Sequence, residues 1–155
     1  MPGELVTFLT AMAPVGELRA AVPLGIVQYG LSWQVVLPLA VLGNLAPVPF
    51  VLLALHGVGE RVERMDNLSG ALLRWRTRRL EERWGARVRR YEFIAVLLMV
   101  AIPLPFTGAW TGCLAVWSLR VPLRKGLPAI AAGVAVAGII VVILVEAGVE
   151  AFRHV

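Results

Sequence analysis

The chain has 155 residues, enough for a single domain (1–155), and 59 % of them are hydrophobic, with a mean hydropathy of +0.79. This composition excludes an ordinary soluble domain and predicts an all-α membrane protein with few crossings, because one spanning helix takes about 20 apolar residues. The net charge of +5 is concentrated, since ten of the fifteen basic residues are arginines between Gly59 and Glu92. In a membrane protein this bias marks the cytoplasmic side and indicates anionic headgroups, and no nucleic acid, as the partner.

Enzymatic chemistry finds no support in the sequence. The lone Cys113 cannot form an internal disulfide, and no metal-ligand cluster, nucleophile elbow or phosphate loop is present. We therefore expect no enzyme, no cofactor and no metal site. The N-terminal stretch MPGELV has no basic region before its apolar run, so we expect no cleaved signal peptide.

Four apolar segments follow one another along the chain: 5–30, 33–57, 93–119 and 126–147. The first carries Pro14, Gly16 and Pro23 within its length, and the third is interrupted by the sequence PLPFTG. Proline inside a helix removes a backbone hydrogen bond, and broken backbone at membrane depth is tolerated only where protein buries it. We therefore predict that both segments are re-entrant helical hairpins.

The second and fourth apolar segments are predicted to be transmembrane helices. Segment 33–57 is long enough to span, and three prolines predict kinks in it: Pro38, Pro47 and Pro49. Segment 126–147 carries small residues four positions apart: Ala129, Gly133 and Ala137. A stripe of small residues favours close packing of this helix against a neighbour.

Segment 58–92, which links the two halves, is predicted to be an amphipathic, basic interfacial helix. Its apolar residues recur at helical spacing: Leu73, Leu80, Trp84, Val88 and Tyr91. Arginines occupy most of the other faces, a pattern typical of a helix that lies in the headgroup plane. A solvated connector is the alternative that the pattern leaves open.

The distribution of basic residues selects between two topologies. Four full spans would place the basic segments 58–92 and 118–125 on opposite sides of the membrane, whereas two hairpins place both on the cytoplasmic side and both termini outside. Each half is then a hairpin followed by a span. The halves are predicted to form an inverted repeat in which Gly16 aligns with Gly108. Inverted repeats whose broken helices meet at mid-membrane are typical of transporters.

Glu17 and Arg19 are the only charged residues between Leu5 and Gly59, and both lie in the first predicted hairpin. An ionisable residue at the bilayer centre costs about 3 kcal/mol, which favours a functional role. At a hairpin tip both side chains could face one cavity, where Arg19 would bind an anionic headgroup and a desolvated Glu17 would carry a proton. Alternatively, they pair with each other or with backbone groups freed by the turn, and hold the hairpin shut.

The second predicted hairpin contains PLPFTGAWTG at 103–112, which supplies further polar groups. Thr107 and Thr111 carry hydroxyls, Trp110 carries an indole donor, and Gly108 lets backbone N–H groups approach a ligand. A helix that begins near Gly108 would direct its positive end at the protein centre and favour an anion. Alternatively, the glycines and prolines only make the turn. Asn44 in the first span completes the candidate site, either as a partner of a hairpin or as a cavity residue.

Two motifs, GELRAAVPLGI at 16–26 and PLPFTGAWTG at 103–112, resemble the small multidrug export protein family, a short relative of the DedA-like proteins with their VTT-type fold. The resemblance covers nearly the whole chain. It implies re-entrant hairpins in an inverted repeat, and transport by flipping of polyprenyl-phosphate lipid, phospholipid scrambling or proton-linked export. Glu17 matches the acidic position of the first hairpin. DedA-like proteins usually carry arginines in the second hairpin, where this chain has Thr107 and Thr111, which leaves Arg19 as the main hairpin cation.

From these observations we predict a multi-pass transporter of the inner (cytoplasmic) membrane. The leading hypothesis is translocation of an anionic lipid, polyprenyl phosphate or phospholipid, with Arg19 as anion ligand and Glu17 as proton carrier. The alternatives are a proton-coupled exporter of small molecules or drugs, and a non-transporting membrane scaffold. The expected partners are membrane lipids and an anionic lipid or small-molecule substrate, and a homo-oligomer is left open.

Overall fold

The computed structural model of the chain describes residues 2–59, 61, 68–102 and 107–153, and all regular structure in these ranges is helical. The helices are α1 Gly3–Met12, α2 Glu17–Pro23, α3 Trp33–Leu45, α4 Val48–Ala54, α5 Leu68–Arg90, α6 Glu92–Ala101, α7 Ala109–Ser118 and α8 Leu123–Arg153. Single π-helical stretches continue α2 over Leu24–Gln28 and α4 over Leu55–Gly59. The predicted all-α class is therefore confirmed for the described residues.

The first apolar segment forms two antiparallel helices, α1 and α2, on either side of a break at 13–16. A Cβ atom added to Gly3 would lie 2.8 Å from the Tyr29 side chain, and one added to Gly25 would lie 2.9 Å from the Thr7 hydroxyl. The end of the segment thus returns to its start. The predicted interruption is confirmed, and the re-entrant path through a membrane stays a prediction.

The third apolar segment also folds back on itself. Met99 of α6 clusters with Ala115 of α7, and a Cβ atom on Gly112 would lie 2.7 Å from the side chain of Val100. The two helices, α6 and α7, are therefore antiparallel. Most of the predicted turn, residues 103–106, lies outside the described residues.

Two apolar helical stretches are long enough to cross a membrane, Trp33–Val58 and Leu123–Ala151. The first is broken between α3 and α4, beside Pro47, as predicted for that proline. Pro38 is accommodated inside α3 without a break, and Pro49 lies in the first turn of α4. A proline in the first turn is tolerated because its missing N–H would have no intrahelical partner there.

The predicted small-residue stripe of α8 does pack closely against a neighbouring helix. A Cβ atom on Gly133 would lie 2.7 Å from Val100 Cβ and 2.8 Å from the Leu97 carbonyl oxygen, both in α6. Ala129 and Ala137 on the same stripe are buried. This contact joins the last helix to the second antiparallel pair.

The outer faces of the two long apolar stretches carry large hydrophobic side chains that the protein leaves uncovered: Leu42, Phe50, Leu53, Ile143 and Leu144, each more than half exposed. A soluble monomer seldom exposes contiguous apolar surface of this kind. Apolar side chains are favourable in contact with the hydrocarbon core of a bilayer. The apolar helices therefore indicate a membrane protein.

The linker helix α5 lies against the second antiparallel pair. Leu80 is buried against Met99 and Ala115, so this part of the predicted apolar stripe packs on protein. Tyr91 lies outside α5, at the start of α6, and is exposed. The side chains of 84–90, which include Trp84 and Val88, are outside the described part of the chain. Contact of α5 with lipid headgroups stays a prediction.

The two basic segments lie next to each other in the fold. Arg74 and Arg78 of α5 line one cavity together with Arg120 from the turn before α8. This proximity agrees with the hairpin topology, which puts both segments on one side, and the side of the membrane stays a prediction. Gly16 and Gly108 each precede the second helix of their pair. The inverted repeat built on this correspondence also stays a prediction.

Candidate functional site

The carboxylate of Glu17 lies at the start of a helix that is distant in sequence. Glu17 is the first residue of α2, has a φ of +50°, and is 7 % exposed. Its Oε2 accepts the N–H of Ala109 at 3.2 Å, and its Oε1 accepts the N–H of Trp110 at 3.4 Å. The first N–H groups of a helix have no intrahelical partner and carry the positive end of the helix dipole. Glu17 therefore caps α7 from the other half of the protein.

Gly108 makes this approach possible. It precedes α7 with φ +156° and ψ −165°, a conformation that essentially only glycine adopts. A Cβ atom at this position would collide with the carboxylate of Glu17. Gly108 was predicted to let a ligand approach the backbone. In the structure the group that approaches is the Glu17 side chain.

Arg19 makes a second contact between α2 and the residues just before α7. Its Nη2 donates to the backbone carbonyl oxygen of Thr107 and to the Thr107 hydroxyl oxygen, the latter at 3.0 Å. The Thr107 hydroxyl in turn donates to the carbonyl oxygen of Ile102 at 2.7 Å. Arg19 thereby satisfies backbone that the interruption between α6 and α7 leaves outside a helix.

Asn44 of α3 joins the site from a third direction. It is fully buried, and its Nδ2 donates a long hydrogen bond of 3.5 Å to Glu17 Oε2. Its Oδ1 has no hydrogen-bond partner among the described residues, and neither has the buried indole N–H of Trp110. Buried polar groups are nearly always paired in folded proteins, so an unpaired amide oxygen on a residue that contacts the Glu17 carboxylate marks an unusual location.

These groups form what we call the hairpin junction: Glu17, Arg19, Asn44, Thr107, Gly108 and the first two residues of α7, Ala109 and Trp110. Apolar side chains of α6 and α8, among them Val100 and Val134, complete its walls. The space left between these residues has no room for a water molecule. The junction is therefore closed. A ligand would fit only after Glu17 and Arg19 move away from residues 107–110.

Thr111 is the predicted site residue that faces elsewhere. It is buried in α7, and its hydroxyl oxygen accepts a hydrogen bond of 2.9 Å from Nη2 of Arg76 in α5. Sequence reasoning missed Arg76 because it grouped the arginines of the linker on the outer faces. A signal was present, since Arg76 follows Leu73 by three positions and precedes Leu80 by four, which places it beside the apolar stripe.

Of the seven predicted site residues, the structure brings six together: Glu17, Arg19, Asn44, Thr107, Gly108 and Trp110. Trp110 contributes its backbone N–H, where its indole was predicted to act. The contacts of Glu17 and Arg19 match the alternative in which they satisfy backbone groups freed by a turn, but that turn belongs to the other half. Their roles toward a substrate or a proton stay predictions. Within the described ranges, no group of three or more metal-ligating side chains occurs.

Comparison with known proteins identifies a family. A family model described as "putative small multi-drug export protein" matches residues 17–140, so the match begins at Glu17 and includes the whole hairpin junction. No curated protein and no solved structure matches the chain. The description of the family names export, and with the apolar helices it suggests a membrane protein that transports. Because the match covers most of the chain, the protein belongs to the small multi-drug export protein family.

Proposed function

We propose that the protein is a multi-pass membrane transporter that exports small molecules and uses Glu17 as its proton-carrying gate. The observation that carries this proposal is the burial of the Glu17 carboxylate at the N-terminus of α7, inside a junction closed to water. The description of the family supports export. The protein would lie in the cytoplasmic membrane, with α5 on the cytoplasmic side and the α1–α2 and α6–α7 pairs as re-entrant hairpins of an inverted repeat.

A proton on Glu17 would weaken the hairpin junction. The ionised carboxylate is attracted by the positive end of α7 and forms charge-assisted hydrogen bonds with two N–H groups, whereas the neutral acid is a poorer acceptor and has no net charge. In the part of the chain that the structure describes, the other groups around it that carry or can acquire charge are Arg19 on its own helix and Cys113 on α7. The neighbouring residues of α3, α6 and α8 are Asn44, Val100 and Val134, which carry no charge.

If the start of α2 moved away from the start of α7, the space between them would be a site suited to a cation. The Glu17 carboxylate and the unpaired Asn44 Oδ1 would then line the space between the helices. An ionised carboxylate beside a carbonyl oxygen attracts a cation. One carboxylate cannot hold a proton and a cationic substrate together, so proton uptake would release the substrate and couple the two flows.

Translocation of an anionic lipid, polyprenyl phosphate or phospholipid, is the second candidate function, and the geometry of Arg19 favours it. Its guanidinium is half-buried at the junction and holds two oxygens of Thr107. Two phosphate oxygens could replace those acceptors, because the guanidinium fork matches phosphate. This function would also fit the proposed relationship to DedA-like proteins with the VTT-type fold.

Transport measured per folded molecule in proteoliposomes tests both candidates. Efflux of the cationic dye ethidium under an imposed pH gradient should follow pH in the wild type and in Glu4→Gln, an exposed carboxylate on α1. In Glu17→Gln the pH dependence should disappear. An unchanged pH profile in folded Glu17→Gln would refute the gate.

A fluorescent phospholipid probe separates the second candidate from the first. Under lipid translocation, Arg19→Lys should slow the probe because the ammonium keeps the charge but loses the fork. Under ethidium export, the same variant should leave the probe unaffected. Absence of all transport in folded wild-type protein would favour the third alternative, a membrane scaffold that binds lipid and moves nothing.

A further inference from the structure

A polar cavity of about 860 Å³ lies apart from the hairpin junction, between α5, the end of α7 and the start of α8. Its volume is within the range of small-molecule binding sites. Residues from three parts of the chain line it: His56 after α4; Arg74, Thr77, Arg78 and Glu81 of α5; and 117–118 and 120–123 around the turn into α8. None of the residues of the hairpin junction lines this cavity.

The charge of the cavity lining is positive. Arg74 and Arg78 lie one helical turn apart on α5, and Arg120 lies in the turn before α8. Among the described residues, Glu81 is the acidic member of the lining, and the guanidinium groups of Arg78 and Arg120 outnumber its carboxylate. The side chains of Arg78 and Arg120 make no hydrogen bond or ion pair within the described residues. Like charges held around one cavity attract an anion that would relieve their repulsion.

Arg120 is held at the cavity in an unfavourable backbone conformation. The N–H of Val121 bonds the Val116 carbonyl at 2.9 Å and the N–H of Arg120 bonds the Trp117 carbonyl at 3.3 Å, which is the pattern of a Schellman helix end. Arg120 occupies the left-handed position of this motif, with a φ of +54°. Glycine is usual there, and a side chain costs about 1 kcal/mol. Arg120 therefore occupies a position where its backbone conformation is less favourable than that of glycine.

The wall of the cavity also carries an unsatisfied hydroxyl. The Oγ atom of Ser118 is buried and has no hydrogen-bond partner in the described part of the chain. His56 also lines the cavity, and its Nδ1 lies 2.8 Å from the carbonyl oxygen of Leu52. Because a carbonyl only accepts, this contact requires a proton on Nδ1 and leaves Nε2 as the second polar atom of the ring.

We propose that this basic cavity binds a phosphate group. Arg78 and Arg120 both line the cavity, and a phosphate has enough oxygens to accept hydrogen bonds from both guanidinium groups. A carboxylate offers two oxygens to the same donors, one fewer than a phosphate monoester. The phosphate comes either from a lipid headgroup or from a soluble phosphate ester, and both present the same chemistry to these residues.

The test uses the full-length protein in a phosphate-free maltoside detergent. Inorganic phosphate is titrated at constant ionic strength against chloride, and thermal stability and tryptophan fluorescence are followed, since Trp117 lines the cavity. We expect a saturable response to phosphate. Absence of any response beyond that to chloride overturns the proposal.

Two substitutions of equal charge locate the site. Arg120→Gly removes a cavity guanidinium and relieves the left-handed strain, so it should weaken phosphate binding by about tenfold or more without lowering thermal stability. Arg124→Gln removes an exposed positive charge four residues away that does not line the cavity, and should change binding less than threefold. Equal losses in both variants would reduce the effect to general surface charge and refute the site.

A second titration, with phosphatidic acid in mixed micelles, distinguishes a lipid headgroup from a soluble phosphate ester as the natural ligand. A lipid site should bind phosphatidic acid at least tenfold more tightly than inorganic phosphate, whereas a site for soluble esters should bind both alike, and either ranking supports the cavity. Folded Glu17→Gln should bind phosphate as the wild type does, because the hairpin junction is separate. The proposal therefore stands or falls independently of the proposed transport function.

Discussion

Replacement of Gly108 by alanine tests the central contact of the hairpin junction. The new Cβ would enter the Glu17 carboxylate, and the backbone would have to keep a φ of +156° that alanine rarely adopts. The strain alone costs about 1–3 kcal/mol. The Cβ would lie nearest to Oε2, so it would also break the hydrogen bond from the Ala109 N–H, and a hydrogen bond to a charged group contributes about 1.5–3 kcal/mol. We expect Gly108→Ala to lower the free energy of unfolding by about 3–6 kcal/mol.

Gly30→Ala is the matched control. Gly30 also has a positive φ, +62°, but a Cβ atom there would meet nothing within 4 Å. This variant should lose only the backbone term, about 1–2 kcal/mol. Unfolding by denaturant in detergent, followed by tryptophan fluorescence, measures both. Equal losses in the two variants would refute the contact between Gly108 and Glu17.

A double variant separates the contact from the strain. In a Glu17→Ala background the carboxylate is absent, so Gly108→Ala should cost only its backbone strain, about 1–3 kcal/mol. The coupling energy between the two positions should then be about 2 kcal/mol, in the range measured for residues in contact. Strict additivity would show that Gly108 and Glu17 do not interact in the folded protein.

Three other measurements test the packing, the site and the topology. Gly133→Ala should destabilise the protein by about 1–3 kcal/mol because its Cβ would lie 2.7 Å from α6, whereas Gly148→Ala, in open space on the same helix, should be neutral or slightly stabilising; equal effects would contradict the close packing. Asn44→Asp should place a second carboxyl 3.5 Å from the first, so its stability should rise as pH falls, unlike that of Asn44→Leu; a flat difference between the two variants would argue against the contact. Cysteines introduced at Ser69 and Arg124, both exposed, should be labelled from the same side of the membrane in a background without the native cysteine, and labelling from opposite sides would exclude the hairpin topology.

The breaks in the helices could be predicted from the sequence because proline and glycine act locally. The break at 13–16 contains Pro14 and Gly16, and the break before α4 falls at Pro47. The other two prolines of that segment did not interrupt a helix, because a proline's effect depends on its position. In the first turn, as at Pro49, no intrahelical hydrogen bond is lost. Small residues at Gly133 and its neighbours also act locally, since they set how near another helix can come.

The partners of the charged residues could not be predicted from the sequence. That Glu17 and Arg19 had special roles followed from the cost of charge in an apolar segment, but nothing in their spacing indicates α7, some 92 positions later. The same limit applies to Arg76, whose bond to Thr111 depends on how α5 docks. An apolar stripe is equally suited to lipid and to protein, so Leu80 alone could not indicate that α5 would pack on α6 and α7.

The capping of α7 by Glu17 has a consequence for how the protein is made. The acceptor and its first donor are 92 residues apart, so at about 5–20 residues per second the ribosome needs roughly 5–20 s after Glu17 before Ala109 exists. During that interval the first pair of helices holds a carboxylate and a guanidinium without their final partners, at about 3 kcal/mol for each charge that enters the bilayer core. The N-terminal half should therefore wait near the insertion machinery or at the interface until the second half arrives. Chains truncated before residue 107 should be recognised and degraded by membrane quality control.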